Sequence, residues 1–413
     1  MKKTALFLTA VLIIVSCTSC WDYEEYEQLA LVFALGFDRG SDNNIIVTAE
    51  YVSSAKTEGE GGSSGKGAGS SGRVEPPIRQ VVSRSVAGCI DELQKVVDRQ
   101  VFFGYTRIII IGKEAAEKDM ERIIEFLELT PYVRPSVNII ICDGSASEVI
   151  STIDMRDVTP TSKEAEDMLF NIGRTAKSFP VSLQDFLKIL ERDGFEPVLP
   201  QIITEEASVA SEDKNSVSKE VLGLVKVREG QHLINGTAVF KKYKLKGLLN
   251  EKESGGLAWV LNKNPNIHIT ITGNLADEDG QNAISVRTLE SKTKLEIVLS
   301  GEVPKVYIKT KVHAALTQFD SGDNVLTSKL IDEYENKLAE SIKSDINHAI
   351  VKAKALNCDI LGFGFRLFQQ YTKEWQKVYS KKWDEVFPKL PVYVEVEANI
   401  SSSGIKELST MER

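Results

Sequence analysis

From Leu29 to Cys142 the chain alternates between two hydrophobic patterns. "LALVFALGF" (Leu29 to Phe37), "RIIIIG" (Arg107 to Gly112) and "VNIIIC" (Val137 to Cys142) are nearly unbroken apolar runs, the pattern of strands covered on both faces. "IIVTAEYV" (Ile45 to Val52) reads as a neighbour of the first. Between these runs the period changes. After Pro76 and Pro77, apolar residues at Ile78, Val81, Val82, Val86, Cys89, Ile90, Leu93, Val96 and Val97 fall on one helical face, and Glu114 to Leu129 predicts a second amphipathic helix. Shorter helices are predicted over Ser145–Ser151, Thr161–Gly173 and Ser182–Arg192, with Gly194 ending the last. Strand and helix alternate, so residues 20–196 are expected to form an N-terminal α/β domain.

From Pro197 the pattern becomes β-rich. "VLGLVKV", "LING" and "TAVFKKYKLKGLL" are punctuated by Glu229-Gly230 and Asn235-Gly236, the second a strong tight-turn signal. Residues 197–262 are therefore expected to form a small middle domain. A C-terminal α/β domain, 263–413, follows with strands at "IHITITG", "AISVRTLE", "KLEIVLSG" and "VYIKTKVHAAL". A long helix is predicted from Ser328 to Leu356, with Ile331, Tyr334, Leu338, Ile342, Ile346, Ala349, Ile350, Ala353 and Leu356 on one side. Another helix ending at Pro388 and a last strand, "VYVEVEANI", complete the chain. The fold class is α/β (α+β): three domains of mixed sheets flanked by helices.

The first residues have a different character. Lys2 and Lys3 precede "ALFLTAVLIIV", the charged-then-apolar layout of a secretory signal, and the run is too short for a membrane-spanning helix of roughly 20 residues. It ends in "IVSCTSC", the layout of a bacterial lipobox, in which a cysteine sulfur takes a diacylglyceryl group and the signal is cut just before it. Two frames compete: "IVSC" would select Cys17 and "CTSC" would select Cys20. On either, an exported chain is tethered to a membrane by lipid.

Composition narrows the function classes. The formal net charge of −9 over 413 residues argues against nucleic acid as a partner. Beyond the lipobox, Cys89, Cys142 and Cys358 are odd in number and far apart, the pattern of isolated buried thiols rather than a disulfide framework. The four histidines have no metal-ligand spacing, and Asp277-Glu278-Asp279-Gly280 lacks the ligand ladder of a calcium loop. "TEGEGGSSGKGAGSSG" (57–72) contains strings that mimic phosphate and nucleophile loops. No strand-to-helix turn follows them, so the segment reads as a flexible Gly/Ser-rich loop. No enzyme, cofactor or metal centre is implied.

Two patches stand out as surfaces. Lys241, Lys242, Lys244 and Lys246 read as a basic strand, either a solubilising edge or a contact for anionic headgroups or a partner. Tyr371, Trp375, Tyr379, Trp383 and Phe387 recur every four residues, a ridge that drifts about 40° per step around a helix. Such a ridge packs mostly inward, and the drift leaves one end to meet a partner. Trp375, Tyr379 and Trp383, with the nearby Asp359, are the candidate partner-binding residues.

"CWD" directly after the lipobox, then "LALVFALGFDRG", "GTAVFKKYKLKG" (Gly236 to Gly247), "CDILGFGFRLF" (Cys358 to Phe368) and finally Trp375, Trp383 and Phe387 before a last strand together resemble the Ger(x)C lipoproteins. These are the C subunits of the nutrient germinant receptors of endospore-forming bacteria. The resemblance covers essentially the whole chain. It implies lipidation at Cys20, since the family's lipidated cysteine immediately precedes the Trp-Asp pair. Cys17 at the minus-three position, where the family usually has leucine, and the Gly/Ser insert depart from the pattern. The resemblance further implies an ectodomain on the outer side of the inner spore membrane, working with an integral-membrane A subunit and a transporter-like B subunit, and carrying no catalytic residues. The expected function is thus a lipid-anchored interaction subunit required for nutrient-triggered germination. A substrate-binding lipoprotein of a transporter is the alternative, which would show two similar doubly wound lobes around a cleft.

Overall fold

A computed structural model of the protein describes residues 28–53, 77–152, 177–204, 232–263, 266–272, 283–299, 303–320 and 327–401, with positions 4, 167, 169 and 171 besides. The signal, Cys17 and Cys20, the Gly/Ser loop, nearly all of the predicted 161–173 helix and the strand predicted at "VLGLVKV" lie outside them.

The apolar runs become the centre of a large sheet. β1 (Leu29–Arg39), β5 (Ile108–Gly112) and β6 (Asn138–Cys142) run parallel side by side, with the short β4 (Gln100–Phe102) also against β1. β2 (Ile45–Ser53) and β3 (Ile78–Ser83) extend the sheet antiparallel beyond β1. Helices cover both faces, which is why these strands need apolar residues at every position. Ile109, Ile111, Ile139 and Ile141 pack with Cys89, Leu93, Ile123 and Leu127 of α1 (Val86–Val96) and α3 (Met120–Leu129). Ile108, Ile110, Ile140 and Cys142 pack on the opposite side with Ala146, Val149 and Ile150 of α4 (Ala146–Thr152).

Two helix predictions are corrected here. Residues 78–83 are strand although Ile78, Val81 and Val82 fall at helical spacing, because pairing with β2 decides it and Val82 is left exposed; the helix starts only at Val86, where Ser85 Oγ accepts from Gly88 N at 3.0 Å. The helix predicted over 114–129 is two, α2 (Lys113–Lys118) and α3, broken at Asp119. That buried carboxylate is held by Arg39 Nη1 at 2.6 Å and Arg122 Nη1 at 2.9 Å. At the carboxyl end of β1, Asp38 caps α4 from a distance. It accepts from Ser145 Oγ (3.0 Å), Ala146 N (2.7 Å) and Ser147 N (2.9 Å).

The predicted boundary after residue 196 is crossed by the sheet. α5 (Leu183–Leu190) leads into β7 (Val198–Thr204), which joins β6, and β8 (His232–Lys241) and β9 (Lys244–Leu249) come next. The strands assigned to a middle domain thus complete a sheet in the order β3-β2-β1-β5-β6-β7-β8-β9. Asn235-Gly236 is not the hairpin turn. Gly236, at φ 85°, lies within β8 opposite the irregular register at Pro200–Ile202, and the turn falls at Lys242-Tyr243.

α6 (Glu251–Val260), which has no helical period in the sequence, begins on a capping box between Asn250 and Glu253. Every residue from Ser254 to Val260 is buried, so no polar face marks it. It lies so close to α7 (Ser328–Leu356) that a Cβ on Gly256 would overlap the carbonyl oxygen of Asp345. The second sheet is β10 (His268–Thr272), β11 (Ala283–Leu299), β12 (Pro304–Asp320) and β13 (Val392–Ser401), in that order. β11 joins the two strands predicted around "AISVRTLE" and "KLEIVLSG" into one, antiparallel to β12, while β13 returns parallel to β12 after α7. The bounds of α7 match the sequence expectation. Tyr334, Leu338, Ile342, Ile346, Ala349, Ile350 and Ala353 of α7 share a single core cluster with Val306, Ile308, Val312 and Ala314 of β12. The same cluster continues into the large sheet.

Candidate functional site

The residues singled out in the sequence meet where the two sheets join. α7 ends at Asn357 in the left-handed conformation (φ 50°), with Cys358 N donating to Ala353 O at 3.0 Å. The chain then turns through Asp359 to Gly362, from which α8 (Phe363–Gln370) starts. Asp359 is buried. Its carboxylate accepts from Phe363 N (3.0 Å), Gly364 N (2.7 Å) and the indole Nε1 of Trp383 (3.1 Å). Burial pushes its pKa up to about 7, while the bonds from Gly364, Phe363 and Trp383 act to hold it down.

Residues 372–386 run as α9 (Thr372–Glu374), a π-helical turn (Trp375–Tyr379) and α10 (Ser380–Val386). A π turn takes up an extra residue and so rotates the next helical segment about its axis. Trp375, Tyr379 and Trp383 all face inward, Trp375 and Trp383 with ring centroids 5.2 Å apart and Trp383 against Phe387 at 6.2 Å. The expectation that one end of the ridge stays free for a partner is corrected here. Trp375, Tyr379, Trp383 and Asp359 are buried, at 2%, 7%, 7% and 3% exposure, and the surface they meet belongs to the same chain.

That surface is the segment leading into β7. Gly194, at φ 72°, brings its backbone onto Gly364 and Trp375; a Cβ on Gly194 would sit 2.5 Å from Trp375 Cη2 and 2.7 Å from Gly364 Cα. No side chain fits, and the φ itself favours glycine. Gly194 O accepts from Phe365 N at 3.0 Å, Glu196 N donates to Asp359 O at 2.9 Å, and Arg192 lies over the Phe365 ring at 4.7 Å. The basic residues read as one strand are a hairpin, with Lys242 in its turn. Lys241 bridges the joint through Asp384 (2.8 Å) and Asn357 O (3.3 Å), and Lys242 N donates to Glu196 Oε2 at 2.9 Å. Burial raises Glu196 and pushes the Cys358 thiol up to about 11, which keeps it protonated and unreactive.

Asp359 and Trp383 were readable as a polar residue among apolar ones and an aromatic at helical spacing. Their partners Gly194 and Glu196 were not, since nothing local ties residues some 165 positions apart. Chemically the joint is a desolvated carboxylate in a ring of donors, and the thiol beside it, Cys358, is held protonated by burial. Among the described residues no group of three or more His, Cys, Asp or Glu side chains could hold a metal ion. Beside the joint a cleft of about 220 Å³ opens between α5 and Leu261, rimmed by Lys188, Arg192 and Lys263.

Residues 22–204 match the spore germination protein N-terminal domain, and residues 235–404 the spore germination B3/GerAC-like C-terminal domain. The first match ends with β7 and the second begins within β8, and these two strands are paired in one sheet. The chain is 23% identical to spore germination protein KC of Bacillus subtilis over 98% of its own length and 97% of the relative's. It is 20% identical to spore germination protein GerQC of Bacillus cereus, over 98% and 100%. The crystal structure of the GerBC protein superposes with a TM-score of 0.50 at 16% identity, covering 89% of this chain and 96% of that one, and so shares its fold. With both halves matched in order along nearly the whole chain, the protein belongs to the Ger(x)C family of spore germination proteins.

Proposed function

We propose that the chain is a lipid-anchored interaction subunit of a spore nutrient germinant receptor, required for nutrient-triggered germination. A diacylglyceryl group on Cys20 would hold it to the outer side of the inner spore membrane, beside the receptor's A and B subunits. The observation that carries this reading is the end-to-end match to spore germination proteins across both family domains. Two acyl chains, at about 0.8 kcal/mol for each buried CH₂, hold a protein stably where one does not. Among the described residues no helix is long and apolar enough to cross a membrane, which is consistent with attachment by lipid. In this reading the chain performs no catalysis of its own. A transporter's substrate-binding lipoprotein would be built from two similar lobes, and the unlike topologies of the two sheets weigh against it.

Deletion of the gene is expected to abolish germination on one set of nutrients while a trigger acting downstream of receptors still works. Germination unchanged on every nutrient would overturn the assignment. Cys20→Ala is expected to give the same phenotype, with the chain unlipidated and lost from the membrane fraction. A lipid found on Cys17 by mass spectrometry would move the anchor.

A further inference from the structure

Among the described residues the two sheets end in four strands, β3, β9, β10 and β13, and three of these edges are short or guarded. β10 is a five-residue strand; β3 has six residues and carries Arg79; β9 has six and carries Lys244 and Lys246. Short strands and edge lysines are the usual devices against pairing with another chain. β13 has neither. It is ten residues long, pairs with β12 in unbroken register from Val392 to Ser401, and contains no lysine or proline.

The free groups on this edge can be assigned. Pro391 O accepts from Val306 N at 3.0 Å, so the odd-numbered residues face β12, whereas Ile400 N turns away and donates to Glu335 Oε1 at 2.7 Å. By the alternation of the ladder, Val392, Val394, Val396 and Ala398 direct their N–H and C=O groups outward. No strand pairs with them among the described residues. Their side chains lie half-buried on the inner face. On the other face Glu395 and Glu397 are exposed, each already matched on its inner side by Lys309 (2.7 Å) or Lys311 (2.5 Å) of β12.

We propose that the outer edge of β13 receives an extended segment of another polypeptide as an added strand, one in which basic residues alternate with aliphatic ones. The basic residues would lie beside Glu395 and Glu397 as Lys309 and Lys311 do on the inner side, and the aliphatic ones would continue the Val392-Val394-Val396 row. A second copy of this chain is disfavoured, because the antiparallel registers of greatest overlap set Glu395 opposite Glu397, or either opposite itself. The residues after β13 do not match the pattern either: Ile405, Leu408 and Met411 are three apart, where a strand needs a period of two. The inference deepens the subunit reading by naming a surface for a partner, yet its test uses no germination assay, so either can fail alone.

The probe is a fluorescent peptide copying residues 305–313 of β12, the strand that already pairs with β13 from inside. Anisotropy with the full chain in detergent is expected to show saturable binding. Val396→Pro should weaken it at least tenfold with the melting temperature nearly unchanged, because that N–H makes no bond to β12. Glu395→Gln with Glu397→Gln should weaken it several-fold, while a peptide with glutamine in place of the lysines that copy Lys309 and Lys311 binds the two chains alike. This second comparison decides the matter if Val396→Pro fails to fold. Absence of saturable binding, or binding indifferent to the substitutions, overturns the proposal. So does self-association abolished by Val396→Pro, which would assign the edge to a second copy. Binding that appears only after truncation at Ser401 would overturn it too, by assigning the edge to the chain's own tail.

Discussion

Along β5 every residue from Ile108 to Gly112 is buried, whereas along β13 burial alternates residue by residue until Ile400. The large sheet is sandwiched between helices on both faces; the small one rests one face on α7 and presents the other as a ladder of polar pairs. Tyr307 stacks on Tyr393 at 5.0 Å, Lys309 and Lys311 pair with Glu395 and Glu397, and His313 Nδ1 lies 3.1 Å from Asn399 Oδ1. The difference is one of what each sheet can offer a partner. A sheet buried on both faces has spent its side chains on its own core, while a sheet buried on one face keeps a surface and an edge.

Alanine substitutions taken one at a time would sharpen this contrast. Each of Ile108, Ile109, Ile110 and Ile111 is expected to cost about 2–5 kcal/mol in a urea titration, with no relief at alternate positions. Along β12 the pattern should have a period of two, with Ile308→Ala as costly as the β5 changes and Lys309→Ala and Lys311→Ala indistinguishable from the starting protein. An even cost along β12 would break the comparison.

These periods also explain what the sequence could disclose. β1, β5 and β6 were legible because two-sided burial leaves no other reading for such runs, and α7 was legible because one of its faces is wet. β3 was misread because its three apolar residues fall at helical spacing, one of them exposed on an edge strand that needs no strict alternation, and α6 was missed because a helix buried all round has no period. The joint was half legible. "CDILGFGF" shows a polar residue in an apolar stretch, but the inward rotation of the aromatic ridge depends on the π turn and on Gly194, and neither is written near it. The free edge of β13 was not legible at all, since alternation reports which face is wet and not which side lacks a neighbour.

Whether the two regions unfold as one is tested at the joint. Asp359 holds its proton to about pH 7 when folded and releases it near its ordinary value of 3.8 when unfolded. Between these values the folded state binds the extra proton, so stability falls as pH rises through the window and levels off above it. The expected loss is roughly 3 kcal/mol from pH 5 to 8. Asp345, raised to about 6 by burial, and Glu196 act in the same direction. Asp359→Asn should therefore flatten the slope without abolishing it. A single urea transition that shifts with pH means the joint couples the sheets; a transition that splits, with only one part moving, means it does not.

The smallest effect is kinetic. Cys142 in the large sheet and Cys358 at the joint are buried thiols with raised pKa values. Both should resist alkylation at pH 8, and peptide mapping over time should show them labelled at one common rate if the fold opens as a unit. Earlier labelling of Cys358 would show that the small sheet parts from the large one first.

The capping of α4 by Asp38 has a consequence for what this scaffold can bind at its strand ends. Parallel strands flanked by helices ordinarily receive a ligand in the crevice at their carboxyl ends, where free N–H groups welcome a negative charge. Here that seat is taken by a guest the chain brought with it. Ala146 N, Ser147 N and Ser145 Oγ are already satisfied by a carboxylate tethered to β1. A visiting anion would have to evict a tenant that cannot leave and would meet its charge on the way in. The customary doorway of the architecture is closed from within.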